Sequence, residues 1–302
     1  MLDNCEHVRA SAAALIRDLL DIAPGLRVLA TSRERLQLRG EHVVLLDGLP
    51  VPERDSDDPR SFAGVQLFLM RAAQRAPDFQ GDDAMLAAVS RLCRLLGGLP
   101  LALEMAASWV EHYSCDEIAA GVSANLAFLA TRDSDMPERQ RSLHATFTYS
   151  WDILPNNEQL ALAQLSVFQA AFDRPAAQAI ANADVPTLAT LVDRSLLRQS
   201  GVGRYEFHPL LRQFAAAQLA AAGPALGASA ANRHSAYYLA LAGVQAAALH
   251  GPRPQSARLV LQGCLPEIRQ ACLWTLASGQ LDLLETHLTA VASVFNALGL
   301  IA

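Results

Sequence analysis

Every basic side chain in this sequence except its histidines is an arginine, and this limits the chemistry that the chain performs. All 24 positions that hold lysine or arginine hold arginine. Without lysine there is no Schiff-base nucleophile, no lysine general base and no lysine to bind a phosphate group. The sequence also lacks the glycine-rich loop that surrounds nucleotide phosphates. We therefore expect the chain by itself not to act as a phosphate-loop ATPase.

One arginine, Arg33, has a position that suits anion binding. It follows the apolar run 26–31, which predicts a strand. In α/β sheets, ligands bind beyond the carboxyl ends of the strands. A guanidinium there donates two parallel hydrogen bonds to a phosphate. Because Arg35 and Arg39 lie close by, an ordinary surface role remains the alternative.

The other clusters of reactive side chains match no familiar catalytic or metal-binding pattern. His112 and Cys115 have a spacing typical of metal ligands, but no second pair accompanies them. The five cysteines are irregularly spaced, so they predict neither a disulfide framework nor a zinc site. The acidic cluster Asp55, Asp57 and Asp58 is interpreted as a solvated loop. The sequence contains no Gly-x-Ser-x-Gly, His-Glu-x-x-His or Gly-x-Gly-x-x-Gly motif.

The composition indicates a globular, mainly helical protein. Hydrophobic residues make up 52% and charged residues 18% of the chain, and the net charge is −6. That balance argues against a nucleic-acid or anionic-membrane binder. The N-terminus does not resemble a signal peptide, and no apolar run is long enough to span a membrane. We therefore expect a cytoplasmic protein with no membrane partner.

The first half of the chain predicts a short α/β segment followed by helices. A helix over 6–22 and strands at 26–31 and 42–46 are typical of the tail of an α/β sheet. The charged stretch 51–60 then connects to helical patterns, which a Gly-Gly-Leu-Pro break interrupts. These patterns predict helices over 61–76, 82–96 and 101–113, with Asp116 capping a further short helix.

The second half predicts a winged helix and then a helical pair. Helices are expected near 142–153, 156–166, 174–182 and 187–195, followed by a hairpin around Gly201-Val202-Gly203 and a helix from Pro209. The run 223–231 is interpreted as a linker. Helices over 265–278 and 281–298 have the size of a solenoid repeat. The predicted domains are 1–58, 59–133, 134–223 and 229–302.

Four short segments carry a resemblance to a known family. They are 2–7 (LDNCEH), 30–34 (ATSRE), 97–104 (GGLPLALE) and 205–212 (YEFHPLLR). In this order they resemble the NB-ARC, or STAND, class of signal-transduction ATPases, in the bacterial transcriptional-regulator branch with a winged helix and TPR-like repeats. The resemblance covers nearly the whole chain, but the family's phosphate loop, which precedes these segments, is missing. We therefore expect a fragment, a misplaced start or a degenerate relative.

The resemblance implies a mostly α fold in four parts. These are the remnant of the α/β sheet of a P-loop NTPase, a helical domain, a winged-helix domain and C-terminal solenoid helices. It also implies that Asp3 is the carboxylate that orders Mg²⁺ through its water shell, as this cation prefers. Arg33 would report the γ-phosphate, with Thr31 and Ser32 shaping its loop.

Two further positions gain a role from the resemblance. Gly97, Gly98 and Leu99 would form the loop beside the adenine ring, and Pro100 would pack against that ring. His208 matches a histidine that reaches the β-phosphate of ADP and holds the closed state. The family's aspartate after this histidine is Pro209 here, which predicts a weakened contact, and a plain helix-start role for His208 remains the alternative.

The function implied is part of an ATP/ADP-dependent signalling switch in a transcriptional regulator. ATP or ADP with Mg²⁺ would be the cofactor of the complete protein, whereas this chain alone should bind none tightly and has no catalytic residue of its own. ATP hydrolysis by the complete protein is left open. A protein or small-molecule signal would bind the C-terminal helices, and a separate domain would contact DNA.

Two other functions remain open. One is a non-enzymatic helical adaptor whose nucleotide site has decayed. The other is direct DNA binding by the winged helix, which the charge balance disfavours because binding to phosphates needs a basic excess. Between residues 136 and 222 seven arginines face seven acidic residues, namely arginines 139, 141, 174, 194, 198, 204 and 212 against Glu138, Asp152, Glu158, Asp173, Asp184, Asp193 and Glu206.

Overall fold

The computed structural model describes residues 1–54, 58–76, 79, 83–129, 142–252 and 254–300. Within these ranges the chain forms thirteen α-helices and one three-stranded antiparallel sheet. The prediction of a mostly helical fold is therefore confirmed. The chain divides into two compact units, the first made of 1–153 with 190–196 and the second of 154–189 with 197–302. The four predicted domains stay predictions. The boundary expected near residue 133, and Asp55 and Asp57 of the acidic cluster, lie outside the described residues.

The first unit begins with a 3₁₀ turn, Cys5–Val8, and helix α1, Arg9–Ile22. The predicted helix over 6–22 is thus confirmed apart from its first turn. Ile16 faces inward and shares a small apolar cluster with Cys5 and Leu36. Apolar residues at helical spacing produce this face, because they bury on one side of α1.

The two strands predicted at 26–31 and 42–46 are wrong. Both segments are described and neither forms a strand. In the described part of this region, the pairing consists of one parallel bridge between Leu2 and Ala30. A strand exists through hydrogen bonds to a neighbour. Leu2 supplies such a neighbour to the first segment, and nothing comparable pairs with the second.

Four helices make up the middle of the first unit: α2 (Ala63–Arg75), α3 (Asp83–Leu95), α4 (Pro100–Ala107) and α5 (Cys115–Ala124). Helix α2 packs on α4, and α3 packs on α5. The predicted helix 101–113 ends early, at Ala107, where the Ser108 hydroxyl donates to the Met105 carbonyl and competes with helical bonding. Helix α5 is capped by Ser114 and not by Asp116, because Ser114 forms a capping box with Glu117. Helix α6, Leu143–Asp152, completes this unit's helices.

The second unit contains the small sheet and the helices around it. The elements are α7 (Asn156–Leu165), β1 (Phe172–Asp173), α8 (Arg174–Ala181), α9 (Val185–Asp193), β2 (Arg198–Gly201), β3 (Arg204–Glu206) and α10 (Pro209–Ala221). Helix α9 spans the division between the two units. The predicted helices and hairpin are confirmed. Strand β1 was missed; it adds to the hairpin in the order β1-β3-β2, with Phe172 opposite Tyr205. Two residues are too few to produce an alternating pattern.

Three long helices follow, α11 (Pro224–Ala248), α12 (Pro254–Ala277) and α13 (Leu281–Ala297), and α11 packs on both of the others. The predicted linker 223–231 is wrong, because its alanines favour helix and Pro224 occupies the first helical position. The helix 281–298 is confirmed, whereas α12 begins eleven residues before the predicted 265. TPR-like repeats stay a prediction. None of the helices in the described ranges is both long and apolar enough to cross a membrane.

Candidate functional site

The parallel bridge brings Asp3 against the 30–34 segment. The Leu2 N–H donates to the Leu29 carbonyl at 2.8 Å, and the Thr31 N–H donates to the Leu2 carbonyl at 2.9 Å. The Thr31 hydroxyl donates to the Asp3 carboxylate and accepts from the Asn4 N–H at 2.9 Å. Thr31 therefore does more than shape a loop, because it holds the exposed Asp3 carboxylate in place.

Arg33 lies at the same edge and is shared by two partners. Its Nε is 3.5 Å from the Glu6 carboxylate, and its Nη1 donates to the Ser150 hydroxyl at 3.5 Å. Neither Glu6 nor Ser150 was predicted as a site residue. Glu6 lies three residues after Asp3, in the 3₁₀ turn that follows the bridge. This closeness to Asp3 in the sequence was the only indication that Glu6 could belong to the site. The long distances describe a guanidinium that is held loosely.

A second set of contacts, all within the first unit, holds residues 33–35 against the 190–196 segment. The Ser195 hydroxyl donates to the Arg33 carbonyl at 2.9 Å. Two ion pairs flank this bond, Arg35 with Asp193 at 3.1 Å and Arg194 with Glu34 at 3.9 Å. Exposed ion pairs are individually weak, so the convergence of three contacts on three consecutive residues is what fixes this loop.

The Gly-Gly-Leu-Pro break is a tight turn packed on the 48–50 segment. Gly97 and Gly98 have φ values of +60° and +67°, and the Gly98 carbonyl accepts from the Leu49 N–H at 2.8 Å. A Cβ on Gly98 would lie 2.0 Å from the Leu49 carbonyl oxygen. Leu99 caps α4, and Pro100 is its exposed first residue. The helix break is thus confirmed, and the contact of this loop with adenine stays a prediction.

Glu104, in the same motif as Pro100, anchors helix α4 to helix α2. One of its carboxylate oxygens accepts from Arg71 Nε at 3.0 Å and from Arg71 Nη2 at 2.8 Å. This pair was not predicted, because the two residues lie on different helices 33 positions apart. It explains structurally why an acid stands at this position of the motif.

His208 belongs to the second unit and caps helix α10. Its Nδ1 accepts from the Leu210 N–H at 3.3 Å. A neutral imidazole that accepts at Nδ1 carries its proton on Nε2, which then acts as a donor. The helix-start role is thus shown, and the β-phosphate contact stays a prediction. Asp3, Arg33 and Pro100 belong to the first unit, and His208 belongs to the second.

The residues present fit only part of a magnesium–nucleotide site. Asp3 offers one exposed carboxylate, which suits a cation held through water. The described residues contain no group of three or more His, Cys, Asp or Glu side chains that could hold a metal ion directly. The cysteines are free thiols. Burial raises the pKa of Cys93 to about 12 and that of Cys115 to about 11, so neither is a ready thiolate ligand.

The arginines of the predicted winged helix are engaged within the chain. Arg139 and Arg141 lie outside the described residues. Each of the other five has an internal partner: Arg174 with the Tyr205 hydroxyl, Arg194 with the Ile153 carbonyl, Arg198 with Glu206, Arg204 with the Ala171 carbonyl and Arg212 with Gln169. Side chains committed in this way are poorly placed to neutralise DNA phosphates.

No family model matches this chain, but it is homologous to a part of bacterial regulatory proteins. A Mycobacterium tuberculosis protein, provisionally named as an HTH-type transcriptional regulator, is 32% identical over 294 residues, which cover 93% of this chain and 32% of that protein. The regulatory protein AfsR of Streptomyces coelicolor is 29% identical over 300 residues, or 95% of this chain and 27% of AfsR.

A third relative is shorter. An uncharacterised protein of Mycobacterium tuberculosis is 31% identical over 236 residues, covering 74% of this chain and 58% of that protein. The chain thus spans about a third of the length of the regulators it matches, and just over half of this shorter relative. The activity and partners of those longer proteins come to this chain only as proposals.

Proposed function

We propose that this chain is the sensing part of a nucleotide-dependent switch in a transcriptional regulator. The observation that carries the proposal is the edge at which Asp3, Thr31 and Arg33 meet. A carboxylate and a guanidinium beyond the ends of two parallel-paired segments suit a magnesium-bound phosphate group. The similarity of almost the whole chain to parts of regulators supports the biological setting.

In this proposal Arg33 exchanges partners. A bound nucleotide would supply the phosphate charge that distinguishes ATP from ADP. Arg33 would leave Glu6 and Ser150 for that charge, and a forked guanidinium–phosphate pair is stronger than its present contacts at 3.5 Å. Because the Arg33 carbonyl accepts from Ser195, such a movement would loosen the 190–196 segment. Asp3 would order Mg²⁺ through water, and His208 would donate from Nε2.

The test measures ADP and ATP affinity of the product of the complete reading frame. We expect Arg33→Ala to reduce the preference for one nucleotide over the other by about tenfold, the loss of one charge-assisted contact. Arg27→Ala is the matched control, because Arg27 is an exposed arginine in the same segment. Failure of the complete product to bind either nucleotide would refute the switch.

The chain of 302 residues by itself is the second sample in that experiment. It lacks a phosphate-binding loop, so we expect no measurable binding of ATP or ADP by calorimetry. Tight binding would show that another part of this chain forms the phosphate-binding site. An in-frame Gly-x-x-x-x-Gly-Lys-Ser/Thr motif in the upstream DNA would support the switch, and its absence would support an adaptor.

The adaptor is the second candidate, and the exposed leucines of the last two helices favour it. Leu273, Leu276 and Leu288 are 62%, 56% and 56% exposed. Solvent-facing leucines on a helical pair suit a protein partner. A triple Asp3→Ala, Arg33→Ala, His208→Ala variant separates the candidates. An adaptor would keep its regulatory output in a reporter strain, whereas a switch would lose its response.

Direct DNA binding by 142–222 is a weaker third candidate. The internal partners of its described arginines argue against it. A gel-shift assay at low salt with random duplex DNA tests this, since non-specific binding is strongest there. A retarded band that Arg198→Ala weakens would revive the DNA-binding candidate.

A further inference from the structure

A fully buried carboxylate joins the C-terminal helices to the small sheet. Glu267 of α12 has no exposed surface. Its Oε1 accepts from the backbone N–H groups of Gln169 and Ala170, at 2.8 and 2.6 Å. Its Oε2 lies 2.7 Å from Nε2 of His234, which is on α11. One side chain therefore connects two long helices with the segment just before β1.

Buried rings pack beside His234, the side-chain partner of this carboxylate. His234 is buried, and the ring of Phe168 packs edge-on against both His234 and Tyr238. Burial, and secondarily the charge of Glu267, raises the pKa of Tyr238. A carboxylate in such a setting is tolerated only while its hydrogen bonds persist. The three contacts of Glu267 therefore form or break together.

The segment that Glu267 holds also contacts α10, β3 and α8. Arg212 of α10 donates to the Gln169 side chain at 2.9 Å, and Arg204 of β3 donates to the Ala171 carbonyl at 2.7 Å. Phe172 pairs with Tyr205 in the sheet, and Asp173 caps α8 by accepting from the Ala176 N–H at 2.9 Å. A shift at 169–170 thus reaches the sheet edge and the start of α8.

We infer that Glu267 is the joint through which a displacement of α11 and α12 is transmitted to the small sheet and α8. If α12 moves, the carboxylate leaves the N–H groups of Gln169 and Ala170, whose hydrogen bonds to it are partly buried, without that acceptor, which favours a concerted rearrangement of the 168–173 segment. The regulatory meaning of this joint rests on the proposed function: it is the route from a signal at the C-terminal helices to the predicted winged helix.

The first experiment measures amide hydrogen exchange of the full chain without nucleotide. Glu267→Ala removes the acceptor, so the Gln169 and Ala170 amides should exchange at least about tenfold faster, the effect expected for the loss of hydrogen bonds to a carboxylate. Glu267→Gln keeps an acceptor at Oε1 and should restore most of the protection. Thr275→Val is the control, because Thr275 is buried on the same helix and bonds within it. It should change these two amides by less than about twofold.

The second experiment tests transmission. Leu261→Ala opens a cavity on α12, where Leu261 is fully buried, and loosens that helix away from 169–170. With Glu267 present, Leu261→Ala should accelerate exchange at Gln169 and Ala170 several-fold. In the Glu267→Ala background, it should add less than about twofold.

Equal effects of Leu261→Ala in both backgrounds would overturn the inference, as would unchanged exchange at 169–170 in Glu267→Ala. If Glu267→Ala does not fold, the same pair of measurements is made with His234→Ala, which keeps the Glu267 carboxylate but removes its contact with α11, so the two backbone bonds that form together with that contact should weaken. The expected result is then a several-fold increase at 169–170, and no increase would again overturn the inference. Because no nucleotide is used, these outcomes are independent of whether the switch itself is real.

Discussion

A single hydroxyl group, that of Thr31, connects the two paired segments at the candidate site by hydrogen bonds. It donates to Asp3 and accepts from the Asn4 N–H. Thr31→Val keeps the shape and removes both bonds. We expect the Asn4 amide to exchange about fivefold faster, as for one lost hydrogen bond of about 1 kcal/mol. Thr31→Ser keeps the hydroxyl and should retain the protection; equal exchange in both variants would contradict the assigned contact.

Glu117 provides a pH-dependent contribution at the start of α5. Hydrogen bonds from the Ser114 backbone N–H at 2.8 Å and hydroxyl at 2.7 Å lower the pKa of this carboxyl. A lowered pKa in the folded state means that the contribution is complete above the ordinary glutamate pKa of about 4.3 and is lost as the pH falls through the lowered value.

The corresponding measurement is a carboxyl titration by NMR. In Ser114→Ala the hydroxyl donor is lost, so the pKa of Glu117 should rise towards its ordinary value. Asp116→Asn, a neighbouring acid in the same first turn, is the control and should leave the hydrogen bonds of Glu117 intact. A pKa of Glu117 that is the same in Ser114→Ala and in the parent chain would contradict the capping box.

The family resemblance suggested Asp3, and the position of Arg33 after an apolar run suggested that residue, but the contacts that hold them could not be predicted from the sequence. The edge shared by Asp3 and the 30–34 segment follows from the parallel bridge between Leu2 and Ala30, a pairing that was not predicted from the sequence. Glu6, Ser150 and Ser195 were not predicted. Ser150 and Ser195 lie far along the chain and approach Arg33 only through packing. The γ-phosphate, adenine and β-phosphate contacts of Arg33, Pro100 and His208 stay predictions.

At the scale of elements, Gly98 fixes the turn between α3 and α4. Its φ of +67° is rarely adopted by other residues, and a Cβ would meet the Leu49 carbonyl oxygen at 2.0 Å. We expect Gly98→Ala to reduce the free energy of unfolding by about 2 kcal/mol or more, because strain and overlap add. Urea unfolding measures this.

Gly25→Ala is the matched control for that variant. A Cβ there meets no atom within 4 Å, and its φ lies outside the strained region. This substitution should be neutral or slightly stabilising, because alanine restricts the unfolded chain. If the two variants are equally stable, the packing of the Gly-Gly-Leu-Pro turn on the 48–50 segment is wrong.

Helices were predicted well because their apolar period reports burial of one face. The hairpin strands were also predicted, but the two strands expected at 26–31 and 42–46 were not found, because an apolar run says nothing about whether a partner strand is available. The 223–231 run shows the opposite error: its small residues suggested a linker, yet alanine is the strongest helix former and Ala230 is fully buried in α11. The two-residue strand β1 leaves no pattern to detect.

At the scale of the whole molecule, apolar exposure is uneven and is concentrated near the N-terminus. Val44 and Leu46 are 79% and 91% exposed, and the 42–47 segment forms no strand. In the second unit the three long helices bury large apolar residues such as Leu239, Leu261 and Ile268 completely. Few buried contacts and few backbone hydrogen bonds define a region of low local stability.

Limited trypsin digestion should therefore follow this gradient. We expect cleavage after Arg27 and Arg39, which are exposed and lie outside helices and strands, to be at least about tenfold faster than cleavage after Arg212 and Arg233, since sites within packed helices are cut only after opening. Timed samples analysed by mass spectrometry give both rates from one digest. Arg233 is the internal control, because its side chain bonds to Ile180 and Gln164. Equal rates at the four sites would mean that residues 1–50 are as stably folded as the helices of the second unit. The pairing of Leu2 with Ala30 would then be enough to stabilise those residues.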